Sequence, residues 1–165
     1  MAEHYYSERQ KSKLRISEVK VDYFGKTFNL LTGSGVFSVG RVDKGTDILI
    51  SNCIVDDGID ILDLGCGYGP IGLTMAKLAP QGNTILADKD FMAVEYSNKN
   101  AKANNIENAK AILSNGFQHI DPNQRFDVVA SNVPAKVGKE MMSLMLHDAH
   151  KHLNKGGKLY LVTVN

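Results

Sequence analysis

An α/β fold with a doubly wound, mainly parallel sheet is what this sequence predicts, and three observations carry the prediction. From residue 59 onward, short runs of β-type residues alternate with longer segments of helical period, the pattern that places helices on both faces of a parallel sheet. The first strand runs into DLGCGYGPIG (63–72), which holds four glycines and a complete G-x-G-x-x-G at Gly67, Gly69 and Gly72. An acid, Asp88, closes the next strand 21 positions after Gly67. Strand, glycine loop, helix and acid-tipped strand in that order make the nucleotide-binding unit of a Rossmann-like domain. At 165 residues and 43% apolar content the chain suits one domain with a sizeable core.

The elements follow in order. VKVDYFGKTFNLLTG (19–33) reads as two strands, roughly 19–24 and 27–32, turning at Gly25-Lys26, and a helix is expected over 44–52. Residues 1–58 thus form an N-terminal hairpin and helix extension packed on a domain spanning 59–165. Within that domain the strands are 59–64, 83–88, 109–114, 126–131 and 157–164, and the helices 69–78, 91–104 and 138–153. Pro70 suits a first helical turn, where its missing N–H costs nothing, and Pro80 stops the same helix. In the 138–153 helix, Met142, Met145, Leu146, Ala149 and Leu153 fall on one apolar stripe facing the sheet, and Gly156-Gly157 ends the helix. The methionines there read as core packing rather than a ligand box.

Bulk composition excludes more than it identifies. Lys and Arg number 19 against 18 Asp and Glu, so no general charge points to nucleic acid, membrane or an acidic substrate. The basic run RQKSKLR (9–15) is either a solvated end or a local handle for a polyanion. Two cysteines without paired spacing and no leader-like N-terminus suit a cytoplasmic protein. No apolar run approaches the roughly 20 residues of a membrane-spanning helix. His147, His150 and His152 have no carboxylate or cysteine to complete a set, so no metal site is expected.

The glycine loop fits two cofactor classes, and Asp88 serves both, because a carboxylate there accepts hydrogen bonds from ribose hydroxyls. Asp63 separates them. Two residues before the first glycine of the run, its charge is badly placed beside a pyrophosphate but well placed beside S-adenosylmethionine, whose ammonium and sulfonium are cationic. Gly65, Gly67 and Gly69 then let the backbone approach the ligand.

Asp63-Leu64-Gly65-Cys66-Gly67-Tyr68-Gly69 resembles the first motif of class I S-adenosylmethionine-dependent methyltransferases, and Asp88 matches their second-strand acid. With HYYSE (4–8), GVFS (35–38) and DKGT (43–46), the resemblance extends over nearly all of the chain. It reaches the small-domain methyltransferases related to ribosomal RNA small-subunit guanine-N2 enzymes, particularly their single-domain archaeal relatives. The resemblance implies S-adenosylmethionine as cofactor and an amine on RNA, ribosomal RNA in that family, as acceptor. It adds Cys66 and Lys89 to the cofactor residues and places Phe37 and Thr46 near cofactor and target, with Phe37 equally readable as a core aromatic. Where the family has a third-strand acid for the adenine amine, this chain has Ser114-Asn115-Gly116, so Asn115 or the Gly116 backbone takes that role.

The fourth strand ends in SNVPAK (131–136). The family form is Asn-Pro-Pro-aromatic, whose Asn oxygen holds the amine while the aromatic stacks on an extruded base. Asn132 and Pro134 match it and are the candidate catalytic residues; Val133, Ala135 and Lys136 are candidate substrate contacts. Ala135 cannot supply stacking worth about 1 to 3 kcal/mol, which leaves Phe37 or Tyr6 for it. That departure keeps open a protein or small-molecule acceptor and a non-catalytic cofactor-binding module, and a nicotinamide oxidoreductase remains a further alternative. The family sheet has seven strands, and the last two, lost or removed, have no counterpart in these 165 residues; if the natural chain ends at Asn165, strand 157–164 is expected as an apolar edge able to pair two chains in a homodimer.

Overall fold

The computed structural model describes residues 16–36 and 40–163. Along the chain run β1 (Ile16–Tyr23), β2 (Lys26–Gly33), α1 (Lys44–Asn52), β3 (Ile61–Leu64), α2 (Pro70–Leu78), β4 (Thr84–Asp88), α3 (Phe91–Ala103), β5 (Ala109–Leu113), β6 (Phe126–Asn132), α4 (Lys139–His152) and β7 (Leu153–Val162). Strands β3 to β7 form one sheet in the order β5-β4-β3-β6-β7, with every neighbouring pair parallel. The strand order reverses at β3, so the crevice between β3 and β6 opens at their C-terminal ends, where open α/β sheets bind ligands.

The pleat of β3 assigns its four residues. Ile61 joins the core beneath α2 with Ile71, Leu73 and Met75, whereas Leu62 and Leu64 join Phe126, Val129 and Ala149 on the α4 side. Alternation therefore turns Asp63 towards α2. Gly72 lets that helix sit close, since a Cβ there would lie 2.7 Å from Leu86 Cγ and 2.9 Å from Asp63 Cβ.

The N-terminal hairpin differs from expectation in its turn. Pairing runs from Ile16 opposite Gly33 to Tyr23 opposite Lys26, so the loop is Phe24-Gly25 and not Gly25-Lys26. Their φ values of 52° and 72° are both left-handed, as a two-residue turn matching the strand twist requires. A phenylalanine carries no signal for that conformation, so the position was hidden in the sequence.

The hairpin is held by side chains that imitate a third strand. Asn104 Oδ1 accepts from Asn29 N at 2.9 Å while its Nδ2 donates to Asn29 O at 2.9 Å. Asn100, one turn earlier on α3, does the same with Leu31, at 2.6 Å and 2.8 Å. Four helical residues rise about 6 Å and two strand residues about 6.6 Å, so the two ladders match in spacing. Asn100 Nδ2 also donates to Tyr68 O at 2.8 Å, tying the hairpin to the glycine loop.

At the other end of the chain, α4 stops at His152, four residues before the glycine pair expected to end it. Gly156 and Gly157 instead lie inside β7, where the register jumps from Phe126 opposite Leu153 to Val128 opposite Lys158. Gly156, at φ 81°, lets the extra residues bulge out before pairing resumes. The apolar stripe of α4 is also narrower than expected: Met142 and Met145 are half-buried and Ala149 is buried, but Leu146 is 40% exposed. His152 takes an inward position, its ring stacked on Phe117 at 5.0 Å and its Nδ1 2.9 Å from Gln124 O.

Candidate cofactor and acceptor site

Three strand ends converge on the crevice. β3 delivers Asp63 and the glycine loop, β4 delivers Asp88, and β6 delivers Asn132. Ser131 Oγ donates to Leu64 O at 2.7 Å and stitches the ends of β6 and β3 together, which sets Asn132 beside the start of the loop.

The loop is shaped from both sides. Gly65 and Cys66 N–H both donate to Ala87 O, at 2.8 and 3.0 Å, fastening the loop to the end of β4. Gly67 N–H donates to Asp88 Oδ2 at 2.9 Å, and Ser97 Oγ donates to Gly67 O at 2.8 Å. Gly65 and Gly67 have φ of 73° and 57°, and a Cβ on either would meet nothing within 4 Å. The space over these two glycines is where a ligand can lie against the backbone. Gly69 is different: at φ 100° it precedes α2, and a Cβ there would come within 2.9 Å of Leu73 Cδ1, so it serves helix packing.

Asp88 already uses both oxygens locally, Oδ2 for Gly67 N and Oδ1 for Asp90 N at 2.9 Å. Each carboxylate oxygen can accept more than one hydrogen bond, so the half-buried group keeps capacity for ribose hydroxyls. Lys89, Asn115 and Gly116 are exposed around it, with Gly116 at φ 58°. Ser114 shapes that turn by donating from Oγ to Gly116 O at 2.7 Å and accepting from His119 N at 3.1 Å.

Asp63 does not stand at the mouth of the loop as expected. The pleat points it under the loop, where it is fully buried; its Oδ2 accepts from Gly72 N at 2.8 Å, and its Oδ1 has no hydrogen-bond partner. Burial pushes its carboxyl up to about 7, against the opposing pull of the Gly72 N–H, with the nearby Asp88 charge adding to the rise. A carboxyl so placed holds its proton more firmly than a solvated one. Cys66 likewise turns inward: it is buried, 3.5 Å from Ser97 Oγ, and burial raises its thiol well above the ordinary range. Only its backbone belongs to the loop surface.

At the acceptor end, Asn132 is half-buried and Val133 buried, with Val133 N donating to Val162 O at 2.9 Å. The expectation that Val133 faces a substrate is corrected for its side chain, which belongs to the core because β6 keeps pairing with β7 through this position. Pro134, Ala135 and Lys136 are exposed, and Lys136 has the left-handed φ of 70°. Thr46, buried in the first turn of α1, accepts from Asn132 Nδ2 at Oγ1, 3.1 Å away, so it belongs to the acceptor end. Phe37 and Tyr6 lie outside the described residues. Sequence reasoning missed Asp43, the N-cap of α1, whose Oδ2 lies 2.6 Å from Asn132 Nδ2. Its sequence signals were its place in DKGT (43–46) and the cap pattern of an acid three residues before Thr46.

Residues 27–165 match the family model of the methyltransferase small domain. The chain is 37% identical to the YbxB protein of Bacillus subtilis (strain 168) over 98% of this chain and 81% of that protein. It is 32% identical to the ribosomal RNA small subunit methyltransferase C of Hamiltonella defensa over 96% of this chain and 48% of that protein. Among solved structures, it resembles the 16S rRNA N2 guanine methyltransferase RsmC of T. thermophilus in complex with AdoMet and guanosine. That match has a TM-score of 0.77 and 26% identity, over 87% of this chain and 41% of the other. The chain thus spans about half the length of the ribosomal RNA relative from Hamiltonella defensa and four-fifths of YbxB.

Proposed function

Because the chain belongs to the methyltransferase small-domain family, we propose that it transfers a methyl group from S-adenosylmethionine to the exocyclic amine of a guanine in ribosomal RNA. The observation that carries the reading is the convergence of the glycine loop, Asp88 and Asn132 on one crevice at the ends of β3, β4 and β6. The residues suit the cofactor: two glycines with open space above them, an orphaned buried carboxylate oxygen, and a strand-end acid. When bound, S-adenosylmethionine supplies an electrophilic methyl on a sulfonium.

The chain's own residues supply position and charge. Gly65 and Gly67 leave room for close approach, Asp88 takes the ribose hydroxyls, and Asp63 answers the ammonium. Lys89, Asn115 and Gly116 border the adenine end. Asn132 accepts a hydrogen bond from the acceptor amine and so aims the nitrogen lone pair at the methyl, while Pro134 and Lys136 border the entrance. Holding the reacting pair in line removes much of the entropic barrier. The amine proton leaves after the new N–C bond has formed, so no strong base is required. The relatives named above, one of them bound to AdoMet and guanosine, support this choice of cofactor and acceptor.

A protein or small-molecule acceptor is the second reading, favoured by Ala135, which has no ring to stack on a base. The test is transfer of a labelled methyl to 16S rRNA, small ribosomal subunits, transfer RNA and a protein extract, with Asn132→Ala in parallel. Label in guanine, lost at least a hundredfold in the variant, supports the first reading; label only in protein selects the second. Association through the β7 edge belongs to the same proposal, and a monomeric sedimentation profile at high concentration would sink that part.

A further inference from the structure

We propose that Asp43 is a positioning residue for this transfer: it fixes the Asn132 amide so that the oxygen, and not the nitrogen, is offered to the acceptor amine. The inference rests on the reading above that Asn132 holds the acceptor. A primary amide is nearly symmetric in shape, yet its two ends have opposite hydrogen-bond character. An Asn132 turned end for end would present a donor to an amine that is itself a donor.

Three features around Asn132 remove that freedom. Asp43 Oδ2 lies 2.6 Å from Nδ2, and an ionised carboxylate accepts only, so the nitrogen must face it. Thr46 Oγ1 lies 3.1 Å from the same nitrogen. Nδ2 carries two hydrogens, and two acceptors take them, which leaves Oδ1 as the end available to a ligand. Gly45 completes the fit, because a Cβ there would lie 3.1 Å from both Asn132 Oδ1 and Asp43 Oδ2 and 3.0 Å from Val162 Cγ1. A side chain at this position would press on the amide, so glycine lets the first turn of α1 close on Asn132 without displacing it.

The short contact to a carboxylate also polarises the amide and makes its oxygen a stronger acceptor. Asp43 is itself rigid, since the same Oδ2 caps α1 by accepting from Thr46 N at 3.1 Å. One oxygen therefore links a helix start to a strand end 89 residues away.

Asp43→Ser tests the idea, because serine caps a helix as well as aspartate does but its hydroxyl is one bond shorter and uncharged. The fold and affinity for S-adenosylhomocysteine should stay within twofold, while kcat falls roughly tenfold to a hundredfold with KM for the RNA little changed. Asp43→Asn keeps an oxygen that can accept from both Thr46 N and Asn132 Nδ2, as Oδ2 does in the wild type. It should retain a kcat at least tenfold above that of Asp43→Ser. A wild-type kcat in Asp43→Ser, or an Asp43→Asn variant no better than it, overturns the proposal.

An independent arm reads the side-chain amide of Asn132 by ¹⁵N–¹H NMR in protein without substrate. The wild type should show one amide proton shifted downfield and protected from exchange, and Asp43→Ser should lose both properties. An ordinary, unprotected Asn132 amide in the wild type overturns the proposal whatever the activity. Absence of methyl transfer by the wild type refutes the function above and leaves this measurement to decide the contact itself.

Discussion

Asp63→Asn isolates the energetic cost of the acid beneath the glycine loop. In the folded chain Asp63 is fully buried, with one oxygen bonded to Gly72 N and the other without a partner, and its pKa is raised from 3.8 to about 7. A raised folded pKa means that the native state holds a proton which the unfolded chain releases. The associated stability is fully present below about pH 4 and is lost as pH rises to about 7. At 1.36 kcal/mol per unit, the loss across that window is about 4 kcal/mol.

Asparagine keeps an acceptor for Gly72 N and cannot ionise. It places an unpartnered NH₂ at the buried position, at a cost of about 1 to 3 kcal/mol, but that cost does not depend on pH. Groups remote from Asp63 contribute alike to both proteins and cancel in the difference. Urea unfolding without cofactor, from pH 4 to 8.5, should therefore show wild type losing about 4 kcal/mol relative to Asp63→Asn. The difference should level off above pH 7. A constant difference across the range would refute the assignment of Asp63 as a desolvated, proton-holding acid.

Other consequences follow from the same geometry. Below pH 7, binding of S-adenosylhomocysteine should release about one proton as its ammonium ionises Asp63, read by titration calorimetry in buffers of different ionisation enthalpy; no buffer dependence counts against that pairing. Gly67→Ala has open space for its methyl, so strain at φ 57° should cost only about 1 to 2 kcal/mol in unfolding, while cofactor affinity falls at least tenfold. Gly72→Ala reverses the balance, because its Cβ would press on Leu86 and Asp63; about 1 to 3 kcal/mol of stability should go, seen as a lower urea midpoint. Asn100→Ala strands Leu31 N, Leu31 O and Tyr68 O together, so roughly 3 kcal/mol and the hydrogen-exchange protection of β2 should be lost, with Leu31 exchanging first.

Sequence by itself determined the order and type of the elements, because the 2.0 and 3.6 periods and the proline and glycine punctuation are local. It also determined that the glycine loop, Asp88 and Asn132 sit at strand ends, since a parallel α/β unit places the residue after each strand on the same rim. Comparison with the structure locates the failures where the deciding contact is remote. Whether Asp63 faces ligand or helix depended on pleat parity relative to α2, which no residue near it encodes. Gly156-Gly157 looked like a helix stop and is a strand bulge, because pairing with β6 outweighs the local signal. Asn100 and Asn104 carry no local signal of their role, because β2 is laid against them only in the fold, at separations of 69 and 75 residues. Asp43 stood only within the DKGT run; its hold on Asn132 exists because α1 folds back over the end of β6. A hydrogen bond is made across a few ångströms, and which distant groups come that close is settled by how the layers pack, not by the segments that form them.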